Sequence, residues 1–327
     1  MDTLLITSRE IHSILTPALA NKVVEKAFRA YGSGKVDMPP KSYLYFKKGD
    51  LRSMPAYIHG EGFDIAGIKS VNVHPLNSGN NIPTVMGLVI LTDPDTGFPL
   101  AVLDGTSLTG IRTGAAGALA VKLLSNKGAK YAGFVGSGVQ ARTQLECIME
   151  VRKLKGIKIW KFFKEDHSAE DFRLWAREKY NLDTIVSEDI NAITMNSDIV
   201  VTTTPSRTPV VTQVSPGTHI NAIGADAAGK QEIHQNILKK SKLVIDDWKQ
   251  ASHSGEINVP YSKKQIRKKD IYGELGEIAV KAKKGREKND EITLFDSTGL
   301  AIQDVACSYA VYKELKDKKD VMRFSFF

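Results

Sequence analysis

The chain has few cysteines: 327 residues contain only Cys147 and Cys307. Neither has the spacing of a metal ligand, so the sequence predicts no disulfide framework and no metal site. The chain also lacks an apolar run of about 18 residues, the length that a membrane-spanning helix requires. Its first residues do not follow the basic, apolar and small-residue order of a signal peptide. We therefore expect a cytoplasmic protein without a membrane partner.

Aromatic residues are missing from the basic stretches, although the formal net charge is +8. The lysine-rich stretches 263–269, 281–286 and 313–319 contain none. Surfaces that bind nucleic acids combine basic with aromatic side chains. These stretches are typical of solvated helix faces or loops, and we expect no nucleic-acid partner. A basic surface still favours anionic small molecules.

The most informative feature present is a glycine turn. An apolar run at 133–135 leads into Gly136, Gly138 and Ala141. This Gly-x-Gly-x-x-Ala spacing is typical of the first strand, turn and helix of a dinucleotide-binding domain. Gly136 permits the sharp turn, Gly138 lets backbone N–H groups approach a pyrophosphate, and Ala141 allows close helix–strand packing. Taken alone, such a turn is also a common loop.

The sequence after the turn favours the nucleotide-binding interpretation. Short β-branched runs alternate with helical segments of about 10–15 residues, as in βαβ units. The runs occupy 157–160, 185–186, 197–204, 219–224 and 243–246. The predicted fold class is α/β, with a Rossmann-type doubly wound parallel sheet.

Residues 1–115 show a different pattern. A helix is predicted over 8–31, followed by strand-like segments that indicate a mostly antiparallel sheet. The segments are 42–46, 51–58, 65–73, 84–91 and 99–104. A helix rich in small residues links the halves over 106–124, and a last helix over 302–315 returns to the first domain. The predicted domains are 1–115 with 297–327, and 116–296.

Four charged residues lie in apolar or glycine-rich surroundings: Arg52, Lys69, Arg112 and Asp226. Two guanidinium groups and an ammonium suit a carboxylate substrate, and a lysine near other cations can exchange protons at neutral pH. Asp226 follows an apolar strand, where doubly wound sheets bind ligands. The alternatives are that Arg52 and Lys69 simply face water on alternating strands, and that Asp226 only caps a turn.

Taken together, the motifs resemble the ornithine cyclodeaminase and mu-crystallin family and, within it, the archaeal-type alanine dehydrogenases. They span nearly the whole chain, at 38–41, 52–56, 69–75, 83–85, 108–117, 136–141, 201–205, 219–232 and 295–304. The resemblance implies that the nucleotide-binding domain is inserted into an α+β domain built from both chain ends. That second domain is expected to bind the substrate and to form a homodimer.

The resemblance also implies roles for individual residues. Lys69 and Asp226 become the catalytic pair, while Lys41 and Arg112 hold the substrate carboxylate; Arg52 is added to this carboxylate site from its charge alone, not from the resemblance. The residues implied along the cofactor are Thr84, Arg112, Thr113, Gly136, Gly138, Val139, Gln140, Lys161, Thr203, Asn221, Ala222, Ile223, Lys230 and Ser297. The implied reaction is reversible NAD(P)-dependent oxidative deamination of a small L-amino acid, with L-alanine giving pyruvate and ammonia.

Two departures from the family pattern bear on the substrate and the cofactor. In the ornithine cyclodeaminases an acidic residue stands where this chain has Arg52, and a second cation disfavours a diamino acid. NAD-preferring relatives carry an Asp at the position that aligns with Lys161. Lys161 or Lys164 then favours the 2′-phosphate of NADP, unless Glu165 or Asp166 serves the ribose.

Three other functions remain open at this point. Ornithine cyclodeamination converts L-ornithine to L-proline and ammonia without net cofactor turnover. Ketimine reduction would use the same carboxylate-binding cations. Relatives that act as crystallins or hormone-binding proteins keep the nucleotide site without catalysis, but the presence of both Lys69 and Asp226 favours an enzyme.

Overall fold

The chain divides into two compact units. The computed structural model describes residues 2–80, 82–163, 165 and 167–326. Unit 1 combines Met1–Arg112 with Leu300–Phe327, and unit 2 is Thr113–Gly299. Each unit contains a β-sheet with helices packed on it.

The strands and helices are numbered along the chain. The strands are β1 (Thr3–Ile6), β2 (Val36–Asp37), β3 (Ser42–Phe46), β4 (Gly49–Ile58), β5 (Ile65–Val73), β6 (Val85–Thr92), β7 (Pro99–Asp104), β8 (Tyr131–Val135), β9 (Gly156–Trp160), β10 (Asp183–Ser187), β11 (Ile199–Thr202), β12 (His219–Ala222), β13 (Lys242–Ile245), β14 (Gly273–Glu274), β15 (Thr293–Asp296) and β16 (Arg323–Phe324). The α-helices are α1 (Ser8–Ile14), α2 (Pro17–Gly32), α3 (Gly105–Leu124), α4 (Val139–Met149), α5 (Ser168–Tyr180), α6 (Ile190–Thr194), α7 (Gln235–Lys240), α8 (Trp248–Ser254), α9 (Asn258–Ser262), α10 (Leu275–Ala279) and α11 (Ala301–Leu315). Short 3-10 helices cover Pro75–Asn80 and Lys268–Asp270.

The sheet of unit 1 runs in the order β16-β1-β7-β6-β5-β4-β2, and β3 pairs with β4. Its pairs are antiparallel apart from β1 with β7, which confirms the predicted mostly antiparallel sheet. Along β4 every second side chain is buried, from Arg52 to Ile58. Helix α11 packs against β4, β5 and β6 and against α2. The last helix of the chain therefore returns to the first unit, as predicted.

The prediction of one helix over 8–31 is wrong. The structure has two helices, α1 and α2, which are separated at Leu15 and Thr16. Pro17 is the first residue of α2, and the Thr16 side chain accepts the N–H of Leu19. Proline lacks the N–H that a continuous helix needs, and it disfavours helical geometry in the preceding residue. Together these effects end α1 and start α2.

The sheet of unit 2 is parallel, in the order β10-β9-β8-β11-β12-β15-β13-β14. Adjacent residues of β11 belong to different hydrophobic clusters. Val201 lies in the cluster that contains Phe172 of α5, and Val200 lies in the cluster that contains Leu238 of α7. Side chains alternate across a strand, so helices cover both faces of the sheet. The predicted Rossmann-type doubly wound fold is confirmed.

Helix α3 begins in unit 1 and ends in unit 2. It is the linking helix that the small residues predicted, and its residues 112–121 are all buried. Within the described ranges, no helix has both the length and the apolar character needed to cross a bilayer.

Candidate active site

Lys69 is the centre of a buried polar cluster in unit 1. It lies on β5 and is only 1% exposed. Its Nζ donates a hydrogen bond to Asp304 Oδ1 at 2.8 Å and a longer one to Thr109 Oγ1 at 3.4 Å. Asp304 comes from α11 and is fully buried. The possibility that Lys69 faces water is thereby excluded.

Arg112 shares the same carboxylate oxygen. Its Nε lies 3.0 Å from Asp304 Oδ1, although the N–H does not point at that oxygen well enough to count as a hydrogen bond. Its Nη1 donates to Gln303 Oε1 at 2.7 Å. Asp304 Oδ2 and Gln303 Nε2 are buried without a hydrogen-bond partner among the described residues. The cluster thus retains polar atoms that an incoming polar molecule can satisfy.

The surroundings of Lys69 set its charge. Burial lowers the pKa of Lys69 to about 7, because the ammonium form loses its hydration. The positive charge of Arg112 and, more weakly, that of Lys41 lower this pKa as well, whereas the charge and hydrogen bond of Asp304 raise it. A group with a pKa near 7 is present in both protonation states at neutral pH. Lys69 can therefore act as a general acid and as a general base.

Arg52 is also buried, with 6% of its surface exposed, so it does not face water either. Its Nε and Nη2 bind the two carboxylate oxygens of Asp50 at 2.8 and 3.2 Å, and its guanidinium lies 5.5 Å from the Tyr43 ring centre. Lys41 lies before β3 and is partly buried. Asp50 thus binds one edge of Arg52, a predicted substrate-binding residue, in an ion pair that the sequence did not predict.

In unit 2 the glycine turn joins β8 to α4. Gly136 has a φ of +114°, and a Cβ there would lie 2.5 Å from Thr203 Oγ1. Only glycine fits this position without strain. Gly138 is the N-cap of α4 and offers no side-chain acceptor to the first N–H groups of that helix. Nothing lies within 4 Å of the place where its Cβ would be, which leaves space for an anion beside the start of α4.

Buried oxygens without partners follow three strands of this sheet. Among the residues described, Gln140 Oε1, Thr203 Oγ1 and Ser297 Oγ are buried and make no hydrogen bond. Gln140 lies in the first turn of α4 after β8, Thr203 follows β11, and Ser297 follows β15. The carboxyl ends of parallel strands lie at one edge of a sheet, where doubly wound folds bind nucleotides. The residues present therefore fit the hydroxyl and phosphate groups of a dinucleotide.

Other predicted cofactor residues occupy the same sheet. Asn221 and Ala222 end β12, and Ile223 follows them. The Asn221 side chain donates to Gly117 O and to Gln144 Oε1, and it accepts from His219. Since that amide is used inside the unit, a contact between Asn221 and a cofactor would involve its backbone.

The remaining predicted cofactor residues differ in exposure. Val139, at the start of α4, is 72% exposed. Thr113, on α3, is buried, and its carbonyl accepts a hydrogen bond from Gln144 Nε2 at 2.9 Å. Thr84 is exposed next to β6 in unit 1, and its carbonyl accepts the N–H of His74 at 2.8 Å.

Asp226 lies in the loop that follows β12, four residues beyond the strand. Lys230 Nζ donates to its Oδ1 at 2.6 Å and reaches Gly224 O at 3.5 Å. The Asp226 side chain is 35% exposed. The predicted catalytic acid and a predicted cofactor residue thus form an ion pair within unit 2, whereas Lys69 belongs to unit 1.

Lys161 directly follows β9, the neighbour of β8. Its N–H donates to Ser187 O at 2.9 Å, and the residue is partly buried. Glu165 is exposed. Lys164 and Asp166, the alternatives considered for this position, lie outside the described residues. No group of three or more His, Cys, Asp or Glu side chains in the described part of the chain is placed to hold a metal ion.

Sequence reasoning missed Asp304 and Asp50. Asp304 sits on the buried stretch 301–308 of α11, and a carboxylate there needs a cationic partner. A carboxylate within an otherwise mostly apolar helix was the sequence signal that could have indicated Asp304. Asp50 lies two residues before Arg52 on one strand, so the two side chains share a face.

Comparisons with known proteins agree with this architecture. The model of the ornithine cyclodeaminase/mu-crystallin family matches residues 1–319. The chain is 48% identical to an alanine dehydrogenase of Archaeoglobus fulgidus over 100% of its own length and 99% of that protein.

Two solved structures are similar over nearly the whole chain. An archaeal alanine dehydrogenase dimer with bound NAD has a TM-score of 0.95 and 47% identity, with all of both chains covered. The Δ1-pyrroline-2-carboxylate reductase of Thermococcus litoralis, in complex with NADH and L-proline, has a TM-score of 0.93 and 34% identity, with 98% of this chain and 99% of that chain covered.

Proposed function

The chain belongs to the ornithine cyclodeaminase/mu-crystallin family, and from this membership we propose that it is a nicotinamide-dependent amino-acid dehydrogenase. The proposed reaction is the reversible oxidative deamination of a small L-amino acid, L-alanine, to pyruvate and ammonia. It converts L-alanine, NAD(P)⁺ and water into pyruvate, ammonium, NAD(P)H and a proton. The high identity to an alanine dehydrogenase along the full chain supports this substrate.

The observation that carries the proposal is the buried cluster around Lys69, in which Lys69 Nζ and Arg112 Nε lie 2.8 and 3.0 Å from the same oxygen of Asp304. The Lys69 pKa of about 7 lets one buried side chain both release and accept a proton at neutral pH. A reversible deamination needs this property, because water adds to an imine in one direction and leaves in the other. We assign Lys69 to the oxygen of the carbonyl or carbinolamine, which its ammonium form polarises and its amine form deprotonates.

The other charged residues would orient the substrate. Arg112 lies beside Lys69 and would hold the carboxylate together with Lys41 and Arg52. Because Asp50 occupies one edge of Arg52, we expect Arg52 to contribute mainly charge unless that ion pair opens. Asp226 would accept or donate a proton at the nitrogen or at water, and its negative charge would stabilise a cationic iminium.

When bound, NAD(P) supplies the hydride acceptor for the Cα of the amino acid. Gly136, Gly138 and the start of α4 would hold its pyrophosphate. The unpartnered oxygens of Gln140, Thr203 and Ser297 would then receive hydrogen-bond partners. This arrangement leaves the cations of unit 1 for the substrate.

We further propose that the enzyme accepts NADPH as well as NADH. Lys161 stands at the end of β9, where a carboxylate would repel a 2′-phosphate, and its own charge favours that phosphate.

We also propose a homodimer, in line with the archaeal relative.

A second candidate is reduction of a cyclic ketimine. The Thermococcus litoralis relative, which carries the name of a pyrroline-2-carboxylate reductase, favours this alternative. The cations of unit 1 would serve an imino acid equally well. Ornithine cyclodeamination is disfavoured, because this chain has Arg52 where the ornithine cyclodeaminases carry an acidic residue, although Asp50 offsets part of that positive charge.

The test follows absorbance at 340 nm with purified protein, pyruvate and ammonium, separately with NADH and with NADPH. Loss of absorbance that requires both pyruvate and ammonium supports the dehydrogenase, and the faster cofactor answers the question about Lys161. No loss with pyruvate but rapid loss with Δ1-pyrroline-2-carboxylate would establish the ketimine reductase instead. L-Proline formed from L-ornithine without net absorbance change would establish the cyclodeaminase.

A further inference from the structure

Glu232 connects the carboxyl ends of two neighbouring strands in unit 2. It is fully buried. Its Oε2 accepts the O–H of Thr202 at 2.7 Å and the N–H of Gly224 at 2.8 Å, and its Oε1 accepts the N–H of Thr204 at 2.6 Å. Thr202 ends β11, and Gly224 follows β12. One carboxylate therefore binds two strand ends at the edge where Thr203 and Ile223 were predicted to meet the cofactor.

The same carboxylate closes the loop that carries Asp226. Gly224 begins this loop and Glu232 ends it, so their hydrogen bond ties its two ends together. A Cβ on Gly224 would lie 2.6 Å from Glu232 Cδ, so a larger residue would displace the carboxylate. Asn258 holds the far side of the loop, accepting from Gly229 N–H and donating to Lys230 O, each at 2.9 Å.

Two further buried carboxylates hold Glu232 in turn. Glu256 accepts the N–H groups of Glu232 and Ile233 at 3.0 and 2.6 Å. Asp296, the last residue of β15, accepts those of Glu256 and Ile257 at 2.8 and 3.1 Å. Each carboxylate binds the backbone N–H of the next acidic residue. The series runs from β15 through Glu256 and Glu232 to the ends of β11 and β12.

This arrangement places acidic groups close together in the interior. Burial raises the pKa of Glu232, and its three hydrogen-bond donors oppose that effect. Burial and the nearby charge of Glu232 raise the pKa of Glu256 well above its usual value. Burying acidic groups together is costly, and hydrogen bonds from backbone N–H groups offset part of the cost.

We propose that Glu232 is a positioning residue that fixes the Asp226–Lys230 loop at the cofactor edge of unit 2, and that Glu256 and Asp296 hold Glu232 in place. The proposal rests on the proposed function for the role of Asp226 in turnover. Its structural part, the fixing of the loop, concerns unit 2 alone. We assign Glu232 no contact with the substrate or the cofactor. It acts by holding the loop that carries Asp226.

The decisive variant is Glu232→Gln, which has the same shape and removes one acceptor. Its amide can accept from Thr204 or from Gly224, but its NH₂ group then faces the other backbone N–H. We expect kcat to fall about 10- to 100-fold, because a loop displaced by a fraction of an ångström misplaces Asp226. The Kd for NADH, measured by fluorescence titration, should rise by a smaller factor than kcat falls, because Lys230 belongs to the displaced loop whereas the glycine turn at Gly136 does not.

A double-mutant cycle tests whether Glu232 acts through Asp226. In an Asp226→Asn background, Glu232→Gln should lower kcat by less than about twofold, because the group that it positions is already gone. Equal losses in both backgrounds would mean that Glu232 acts independently of Asp226, and the proposal would be wrong.

Hydrogen–deuterium exchange tests the structural part without any turnover. Amides of 224–232 should exchange at least about tenfold faster in Glu232→Gln than in wild type. Thr202→Val, which removes one donor and keeps the carboxylate, should give a smaller increase and serves if the first variant does not fold. The matched control is Asp198→Asn, because Asp198 accepts the N–H groups of Lys130 and Tyr131 at the opposite end of β11.

The control should leave exchange in 224–232 and kcat at wild-type values. Unchanged exchange in the Glu232 and Thr202 variants would overturn the proposal, whatever the enzyme does. A wild-type protein that turns over no amino acid, 2-oxo acid or imine would refute the proposed function, and the exchange result would still decide on Glu232.

Discussion

Replacing Asp304 with asparagine should change the pH at which Lys69 loses its proton. In the wild type the carboxylate lies 2.8 Å from Lys69 Nζ and raises the pKa of that amine, against the opposing effects of burial and Arg112. The Asp304→Asn variant keeps the shape of the side chain and loses its charge. An opposite charge at this range shifts a pKa by about 1–3 units. The protonated form of Lys69 should therefore disappear about 1–3 pH units lower in the variant.

The sign and the size of the change in activity with pH follow from the fraction of Lys69 that is protonated. Reductive amination uses the ammonium form of Lys69, so its activity falls as the pH rises through the pKa, which is about 7 in the wild type. In the variant the activity falls at a lower pH. Between pH 5 and pH 9 the ratio of variant to wild-type kcat/KM should then decrease about 10- to 100-fold and become flat above about pH 8.

The assay measures kcat/KM for pyruvate from about pH 5 to pH 9 with ammonium in excess. Taking the ratio at each pH cancels the ionisation of ammonia. Asp50→Asn serves as the control, because it removes a partly buried carboxylate next to Arg52 and leaves the Lys69–Asp304 pair intact. Its ratio should show no slope over this range. A flat or rising ratio for Asp304→Asn would refute the role given to Lys69.

Four other substitutions test separate parts of the site. Lys69→Met and Asp226→Asn should each lower kcat at least about 100-fold, which is the scale of general acid–base catalysis. The Kd for NADH should stay within about twofold of the wild-type value. Near-normal turnover in both variants would contradict the assignment of Lys69 and Asp226 as the catalytic pair. Gly136→Ala should lower both the melting temperature and the affinity for NADH, because the new Cβ would lie 2.5 Å from Thr203 Oγ1 at a φ of +114°. An unchanged NADH titration would argue against a pyrophosphate at this turn. Lys161→Asp should reduce the ratio of kcat/KM with NADPH to that with NADH at least about tenfold, because a carboxylate that repels the 2′-phosphate replaces an ammonium that attracts it. An unchanged ratio would mean that Lys161 does not affect the choice of cofactor.

Much of the fold could be predicted, because its signals are local. Alternating apolar residues marked β4 and β5, and the β-branched runs after Gly136 marked the strands of the parallel sheet. The single error of consequence was also local. Thr16 and Pro17 form a readable helix start that interrupts the predicted helix over 8–31.

The site was predicted less completely, because its partners are distant in sequence. Lys69 and Asp304 are separated by 235 residues, and no pattern in either segment specifies that they meet. Glu232 and Glu256 likewise acquire their surroundings only when several strand ends converge. Lys69 and the glycine turn stood out because their local sequence was unusual, whereas the acidic groups were visible only as polar residues in apolar runs.

The proposed reaction removes a hydride from the Cα of a small amino acid, with net oxidation of that substrate. L-Alanine deuterated at Cα and incubated with NAD⁺ or NADP⁺ tests it directly by mass spectrometry of both products. Pyruvate is expected together with an equal amount of reduced cofactor that carries the deuterium. Recovery of unreacted L-alanine with no labelled cofactor, under conditions in which the protein binds NADH, would contradict it.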